Sequence, residues 1–290
     1  MLLQLIKKHF PYGEIVNAYA YGSKVIPQKD IKPGKMTDLI FVVNDVEDFH
    51  NANKTINREH YSLIEKYINK SKYINNVGPK IYYNQNVVIE NNVIKYGVIS
   101  RKNFEYSLSN WDNMFICGRF HKPIVNIVQN INYDKLIEEN RKRAFALIAL
   151  KNKECVDKDK FYEEIIKISY IGDIRNALYL EDKEKAKKML KGAYSLYDNM
   201  YSKYALSSSK YMLKLNKDLN FYFNQLPKLF KDKFPSDFIK KDIKERTLII
   251  NRILKINNLM SSTMNALMGL YSSPDINYIL DKYRKKLYRV

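Results

Sequence analysis

"NAYAYGSKV", residues 17–25, carries five strand-forming residues straight into Gly22-Ser23, and "MTDLIFVV", residues 36–43, opens the next apolar strand with Asp38. The aromatic and β-branched content of both runs suits a pleated, buried sheet. Nothing in sheet packing calls for a glycine, a hydroxyl and a carboxylate at the strand ends. Gly22 has no Cβ and lets a ligand approach the backbone. Ser23 adds a hydroxyl and a backbone N–H, groups that bind phosphate at the ends of elements. Asp38 offers the oxygen donor that a hard divalent cation prefers.

The rest of the composition narrows the reading. A chain of 290 residues predicts about two domains and a sizeable core. Its 46% hydrophobic content excludes a disordered chain. No apolar run reaches the roughly 18 residues that a membrane-spanning helix needs. Cys117 and Cys155 stand far apart and form neither a metal pattern nor a disulfide framework. Both are expected to be small buried hydrophobes in a reducing compartment. The net charge of +19, from 50 Lys and Arg against 31 Asp and Glu, attracts nucleic acid, nucleotides or acidic lipid, or simply gives a solvated basic surface. The opening "MLLQLIKKHFPYG" has neither the order of a signal peptide nor the composition of an organelle leader.

Along the chain, the first part reads as mixed α/β. Strands are expected at 15–21 and 38–43, and a helix at 50–70. Three short β-runs at 80–83, 87–90 and 93–99, with Asn-rich turns between them, predict a meander. Residues 104–117 read as one helix that packs Trp111. After Lys122-Pro123 the β-signal fades, and 133–150, 160–171, 183–201 and much of 204–230 show helical apolar spacing. A further helix is expected after Ser236. The last segment, 274–290, reads as a basic amphipathic helix that touches membrane or packs on the core.

A strand ending in Gly-Ser, followed by a strand that opens with Asp, resembles the start of polymerase-β-like nucleotidyltransferases. That resemblance implies Mg²⁺ on Asp38 and a triphosphate on Gly22-Ser23. Such enzymes usually carry a second carboxylate two residues on, where this chain has Ile40. Glu90 and Asp173 are the candidates to replace it, with Asp173 preferred.

More of the sequence is similar to one family, the mitochondrial-type CDP-diacylglycerol synthases, also called translocator assembly and maintenance proteins. The similarity runs through "AYGS" (20–23), "DLIFVV" (38–43), "FHNANKTINREHYS" (49–62), "IKYGVI" (94–99), "WDNMFICGRFHKPI" (111–124), "SYIGDIR" (169–175) and "SSTMNALMG" (261–269). Phe49, Lys24, Ser107 and Met268 depart from its usual Trp, Gly, Asp and Lys. The resemblance implies an α/β (α+β) protein: a nucleotidyltransferase domain with a mixed sheet (1–125), a helical winged-helix-like domain (126–234), and a C-terminal helical segment (235–290) that returns to the first domain.

It also implies a Mg²⁺-dependent reaction of CTP with phosphatidic acid that gives CDP-diacylglycerol and pyrophosphate. The expected catalytic residues are Asp38, Lys95 and Asp173. Tyr21, Gly22, Ser23 and His60 are expected on the nucleotide, and Arg119, Lys122 and Arg175 on phosphate or lipid. The partners would be CTP, phosphatidic acid and an anionic membrane surface, with no nucleic acid. The absence of a leader points to a bacterial relative, peripheral on the inner face of the cell membrane, or on the matrix side of the mitochondrial inner membrane in a eukaryote. Two alternatives stay open: a nucleotidyltransferase acting on RNA or protein, and a non-catalytic scaffold on acidic membranes.

Overall fold

β2 (Thr37–Val43) is the middle strand of a five-stranded sheet, and its sequence explains the position: Leu39 to Val43 carry no charge and are almost wholly buried on both faces. The computed structural model describes residues 1–22, 24, 36–62, 65, 77–174 and 184–272. β1 (Ile15–Tyr21) pairs with β2 antiparallel, and β4 (Asn92–Ser100) pairs with it parallel. β3 (Tyr82–Ile89) and β5 (Val125–Gln129) close the two edges, in the order β3-β4-β2-β1-β5. One face packs on α1 (Leu2–His9), its following Phe10, and α2 (Val46–Ile56). There Phe41 meets Phe10 edge-on at 5.0 Å and stacks on Tyr96 at 5.4 Å. Each such ring, once fully buried, contributes about 1.5–3 kcal/mol.

Three expectations in this part change. The runs at 80–83 and 87–90 form one strand, β3, with a register shift between Asn84 and Val87. Asn86 takes up the extra residue at φ 56, a conformation Asn tolerates. The real turn is Glu90-Asn91, both at positive φ, which makes a two-residue hairpin to β4. The helix expected at 50–70 is interrupted after Ile56, because Asn57 leaves helical geometry and its amide binds Asn53 Oδ1 at 2.8 Å and the His9 carbonyl at 2.7 Å; residues 63–64 and 66–70 lie outside the described residues.

After β4 come α3 (Arg101–Asn110) and α4 (Met114–Phe120), where one helix was expected. Trp111 breaks the run at φ 53, and Asn113 caps the new helix through the Phe115 N–H at 3.0 Å. The Trp111 ring is buried, its Nε1 donating to Asn140 Oδ1 at 2.7 Å. Beyond β5 lie α5 (Asp134–Ala149), β6 (Cys155–Asp157), α6 (Lys158–Lys167) and α7 (Lys185–Tyr201). The stretch 204–230, expected to be largely helix, instead holds the hairpin β7 (Ser207–Ser208) and β8 (Met212–Lys214) and two short helices, α8 (Leu219–Phe223) and α9 (Lys228–Lys231). Ser209 ties the hairpin turn to Met212, and Asp218 caps α8. β6, β8 and β7 make a small antiparallel sheet, so strands continue past Pro123. Cys117 is buried as expected, whereas Cys155 lies exposed on β6 opposite Lys214.

α10 (Ile243–Ser272) ends the described chain. Two compact units result. The first comprises Met1–Phe104, Ile124–Asn132 and the end of α10 from Ser262. The second comprises Glu105–Pro123 and Tyr133–Ser261. No helix among the described residues is long and apolar enough to cross a membrane. The amphipathic segment expected at 274–290 lies outside the described residues.

Three buried histidines make the fold acid-sensitive. Burial pushes the imidazoles of His50 and His121 down to about 3 and that of His60 to about 4. His121 Nδ1 has no hydrogen-bond partner among the described residues, so an added proton there would find no acceptor. Below about pH 6.5 the unfolded chain binds protons that the folded chain refuses, and stability falls as pH drops from there toward 4. The expected slope is about 1.4 kcal/mol per histidine per pH unit. The urea midpoint should therefore drop steeply between pH 6.5 and 5, where most carboxylates stay ionised. A flat midpoint over that range would contradict the burial of these rings as neutral bases.

Candidate active site

The sheet register gathers three expected residues into one row. Tyr21 on β1 stands opposite Asp38 on β2, and Asp38 stands beside Lys95 on β4. Paired residues project from the same face, so all three side chains rise opposite the face that holds Phe41 and Tyr96. All three are partly exposed. Gly22 follows Tyr21 at φ 82, and a Cβ there would stand 3.0 Å from Asp38 Oδ2. Glycine thus does two things: it takes the left-handed turn, and it leaves room for the carboxylate beside the backbone.

Lys95 is held by a residue that the sequence reading missed. Its Nζ lies 4.4 Å from the centre of the Tyr83 ring, a cation–π contact. The Tyr83 ring crosses the backbone of Gly97, where a Cβ would come within 2.6 Å of it. The Tyr83 hydroxyl reaches the Tyr21 hydroxyl at 3.4 Å. A glycine inside an otherwise apolar strand marks such a close approach, and Gly97 was the available signal.

Ile40, at the position of the usual second carboxylate, is 1% exposed and lies deeper on the same face as Asp38. No group of three His, Cys, Asp or Glu able to hold a metal occurs among the described residues. Magnesium is commonly held by one or two carboxylates plus substrate phosphates. A partly exposed carboxylate beside an open glycine turn fits one end of such a site. Glu90 turns elsewhere: it accepts from Lys8 Nζ at 2.5 Å and His9 Nε2 at 2.9 Å, which hold its carboxyl at about 2.

His60 does not join the row. It lies against the opposite face, 4% exposed, with Nδ1 3.1 Å from the Tyr96 hydroxyl. A buried polar network surrounds it. Asn53 Nδ2 donates to the hydroxyls of both Tyr61 and Tyr96, each at 2.8 Å, and the Tyr61 hydroxyl meets His50 Nδ1 at 2.9 Å. His60 therefore braces α2 and its following turn against β4.

Arg119, Lys122 and Asp173 belong to the second unit. Arg119, near the end of α4, donates to the Phe115 carbonyl, with its guanidinium 3.7 Å from the Phe115 ring centre. Lys122 donates to Ser169 Oγ at 2.6 Å and lies 4.1 Å from the Tyr170 ring centre. Gly118 permits this approach, since a Cβ there would stand 2.7 Å from Ser169 Cβ. Asp173 is buried in the turn after Tyr170, its N–H donating to the Tyr170 carbonyl at 3.2 Å. That turn is clamped on α10. Gly172, at φ 81, sits where a Cβ would overlap the Lys255 backbone, and the Asn258 amide donates to the carbonyls of Ile168 and Ile171, both at 2.7 Å. Ser23 and Arg175 lie outside the described residues.

The family model described as "Phosphatidate cytidylyltransferase, mitochondrial" (Tam41/Mmp37) matches residues 3–285. The protein of that name from Caenorhabditis briggsae is 35% identical over 197 residues, covering 66% of this chain and 60% of the relative. The Schizosaccharomyces pombe protein is 31% identical over 188 residues, covering 63% and 48%. The Homo sapiens protein is 32% identical over 204 residues, covering 68% and 44%. The chain thus spans about half the length of the curated relatives it matches. The family match over nearly the whole chain shows that it belongs to the Tam41/Mmp37 family of mitochondrial-type phosphatidate cytidylyltransferases.

Proposed function

We propose that this protein is a phosphatidate cytidylyltransferase that converts CTP and phosphatidic acid into CDP-diacylglycerol and pyrophosphate at an anionic membrane surface. The observation that carries the reading is the Tyr21–Asp38–Lys95 row beside the Gly22 turn. A phosphate oxygen of phosphatidic acid attacks the α-phosphorus of CTP, and the bond to the β-phosphate oxygen breaks as pyrophosphate leaves. The attacking phosphate is already ionised near pH 7, so the row needs no strong general base. Gly22 admits the triphosphate to the backbone, and Lys95 supplies positive charge to the departing phosphates. Asp38 fits as a Mg²⁺ ligand; the chemistry that ion supplies when bound is neutralisation of charge on the reacting phosphates. Arg119 and Lys122 are assigned to phosphate binding. The surface would be the inner face of the cell membrane, or the matrix side of the mitochondrial inner membrane in a eukaryotic source.

The direct test is incubation of the protein with Mg²⁺, labelled CTP and phosphatidate liposomes. Label should appear in a lipid product, and label appearing only in added RNA or protein would favour the rival nucleotidyltransferase reading. Asp38→Asn should abolish lipid labelling while shifting the thermal midpoint by only a few degrees. Near-normal turnover by a folded Asp38→Asn protein would remove Asp38 from the chemistry.

Tyr83 gives a second test. Tyr83→Leu removes the ring under Lys95 and should lower kcat about tenfold, a cost of about 1.4 kcal/mol in the transition state. Tyr83→Phe keeps that ring and should recover most of the loss. If both variants lose stability alike and keep kcat, Tyr83 is only a packing residue.

A further inference from the structure

α10 carries part of its length with the polarity reversed. An amphipathic helix in water turns its apolar stripe inward and its polar residues outward. Ile250 and Leu254 obey this rule and are fully buried. Beyond them the buried positions are polar: Asn258 is 4% exposed and Ser261 5%. Both are committed to backbone, Asn258 donating to the carbonyls of Ile168 and Ile171 and Ser261 to the carbonyl of Asn257 at 2.8 Å. The outward positions are apolar: Leu248 is 70% exposed, Ile256 53% and Met260 68%. Clamping the turn after α6 thus fixes which way the helix faces, and it leaves three large apolar side chains in water.

These three are not scattered. With Arg252 they recur every fourth residue, so Leu248, Arg252, Ile256 and Met260 make one slanting ridge about 18 Å long. Lys244 extends the ridge toward the helix start and Lys255 flanks it, and both are exposed. The acids of this part, Asp242 and Glu245, sit at the helix start, where each carboxylate accepts from the other's backbone N–H. From 246 to 272 the sequence has no Asp or Glu. The ridge is therefore apolar and cationic at once.

Charge decides between the possible coverings. A second copy laid on the same ridge would set cation against cation. So would the segment 274–290, which carries Lys282, Arg284, Lys285, Lys286 and Arg289 against Asp275 and Asp281. A bilayer with anionic headgroups answers both characters. Apolar tips enter the acyl boundary, while Lys and Arg side chains extend along it to the phosphates.

We propose that the outward ridge of α10, Leu248–Arg252–Ile256–Met260, is the face by which the second unit lies on an anionic lipid bilayer. The proposal rests on the proposed function for its choice of a bilayer over an acidic protein: phosphatidic acid stays in the membrane, and no described helix can cross one. It adds to that function the surface of contact, and it uses none of the residues assigned to the reaction.

The experiment uses the full chain, whose one tryptophan, Trp111, is buried. Met260→Trp places a second indole on the ridge. Its emission should move to shorter wavelength, and be quenched by brominated acyl chains, when phosphatidylcholine vesicles containing phosphatidate are added. Vesicles of phosphatidylcholine alone should do much less. In flotation, Ile256→Gln/Met260→Gln should bind the phosphatidate vesicles about tenfold more weakly than the wild type. Arg252→Gln/Lys255→Gln should lose the preference for phosphatidate. All four side chains are exposed, so thermal midpoints should stay near that of the wild type. With a water-soluble, short-chain phosphatidate both variants should keep wild-type turnover. A wild type that docks on vesicles but turns over neither lipid defeats the proposed reaction and supports the docking face. The proposal is overturned if the ridge indole ignores vesicles, as it would on a face kept for an acidic protein. It is equally overturned if the indole is already shielded in dilute protein, which puts 274–290 over it, or if its shift follows protein concentration, which puts a second copy there. Flotation of the Ile256→Gln/Met260→Gln protein at wild-type strength would overturn it as well.

Discussion

One register decides the chemistry of the first unit. β2 and β4 run parallel from Thr37 beside Ile94 to Val43 beside Ser100. In that alignment Asp38 meets Lys95 on one face, while Leu39, Phe41, Tyr96 and Val98 meet on the other. A slip of one residue would reverse every side chain, burying the carboxylate in the core and lifting phenyl rings into water. The apolar face therefore enforces the position of the polar row. Burial of Phe41 and Tyr96 against Phe10 makes the slip expensive, and the site inherits its accuracy from packing on the far side of the sheet.

The second unit reaches accuracy by another route. Its polar turn after α6 is not set in a sheet but is clamped by backbone contact with α10 at Gly172 and by the two acceptors of Asn258. Arg119, Lys122 and Ser169 then depend on how closely α4 lies on that turn, which Gly118 controls. Two glycines, Gly118 and Gly172, thus hold the cations in place. Any side chain at Gly172 would collide with the Lys255 backbone, which has no rotamer by which to escape.

The sequence made the strands at 15–21 and 38–43 legible because Gly22 and Asp38 punctuate strongly apolar runs. It also made the Asp38–Lys95 row partly legible, as both residues were singled out, though not their adjacency, which depends on a non-local parallel pairing. Asn84 to Asn86 misled because Asn serves turns and bulges alike, and only burial of Asn84 against the His60 carbonyl decides between them. Residues 204–230 misled because helical apolar spacing survives in a short hairpin, where Leu213 and Leu215 point inward. His60 was expected near nucleotide from its motif, but motif spacing does not tell which face of a sheet a side chain reaches. Tyr83 is one of 24 tyrosines, so its residue type alone carried no signal without coordinates.

The Asn53 network has a further property, which concerns the direction of its protons. Asn57 donates to Asn53 Oδ1, which fixes the amide so that its nitrogen faces the tyrosines. Both N–H groups of that nitrogen are spent on the hydroxyls of Tyr61 and Tyr96. Each phenol also has a histidine nitrogen within reach, Tyr61 the Nδ1 of His50 and Tyr96 the Nδ1 of His60, and the two hydroxyls interact with each other. The arrangement is a branched network rooted in a single asparagine amide. Replacing Asn53 by a carboxylate of nearly the same shape would turn that root from a donor into an acceptor and draw the phenolic protons inward.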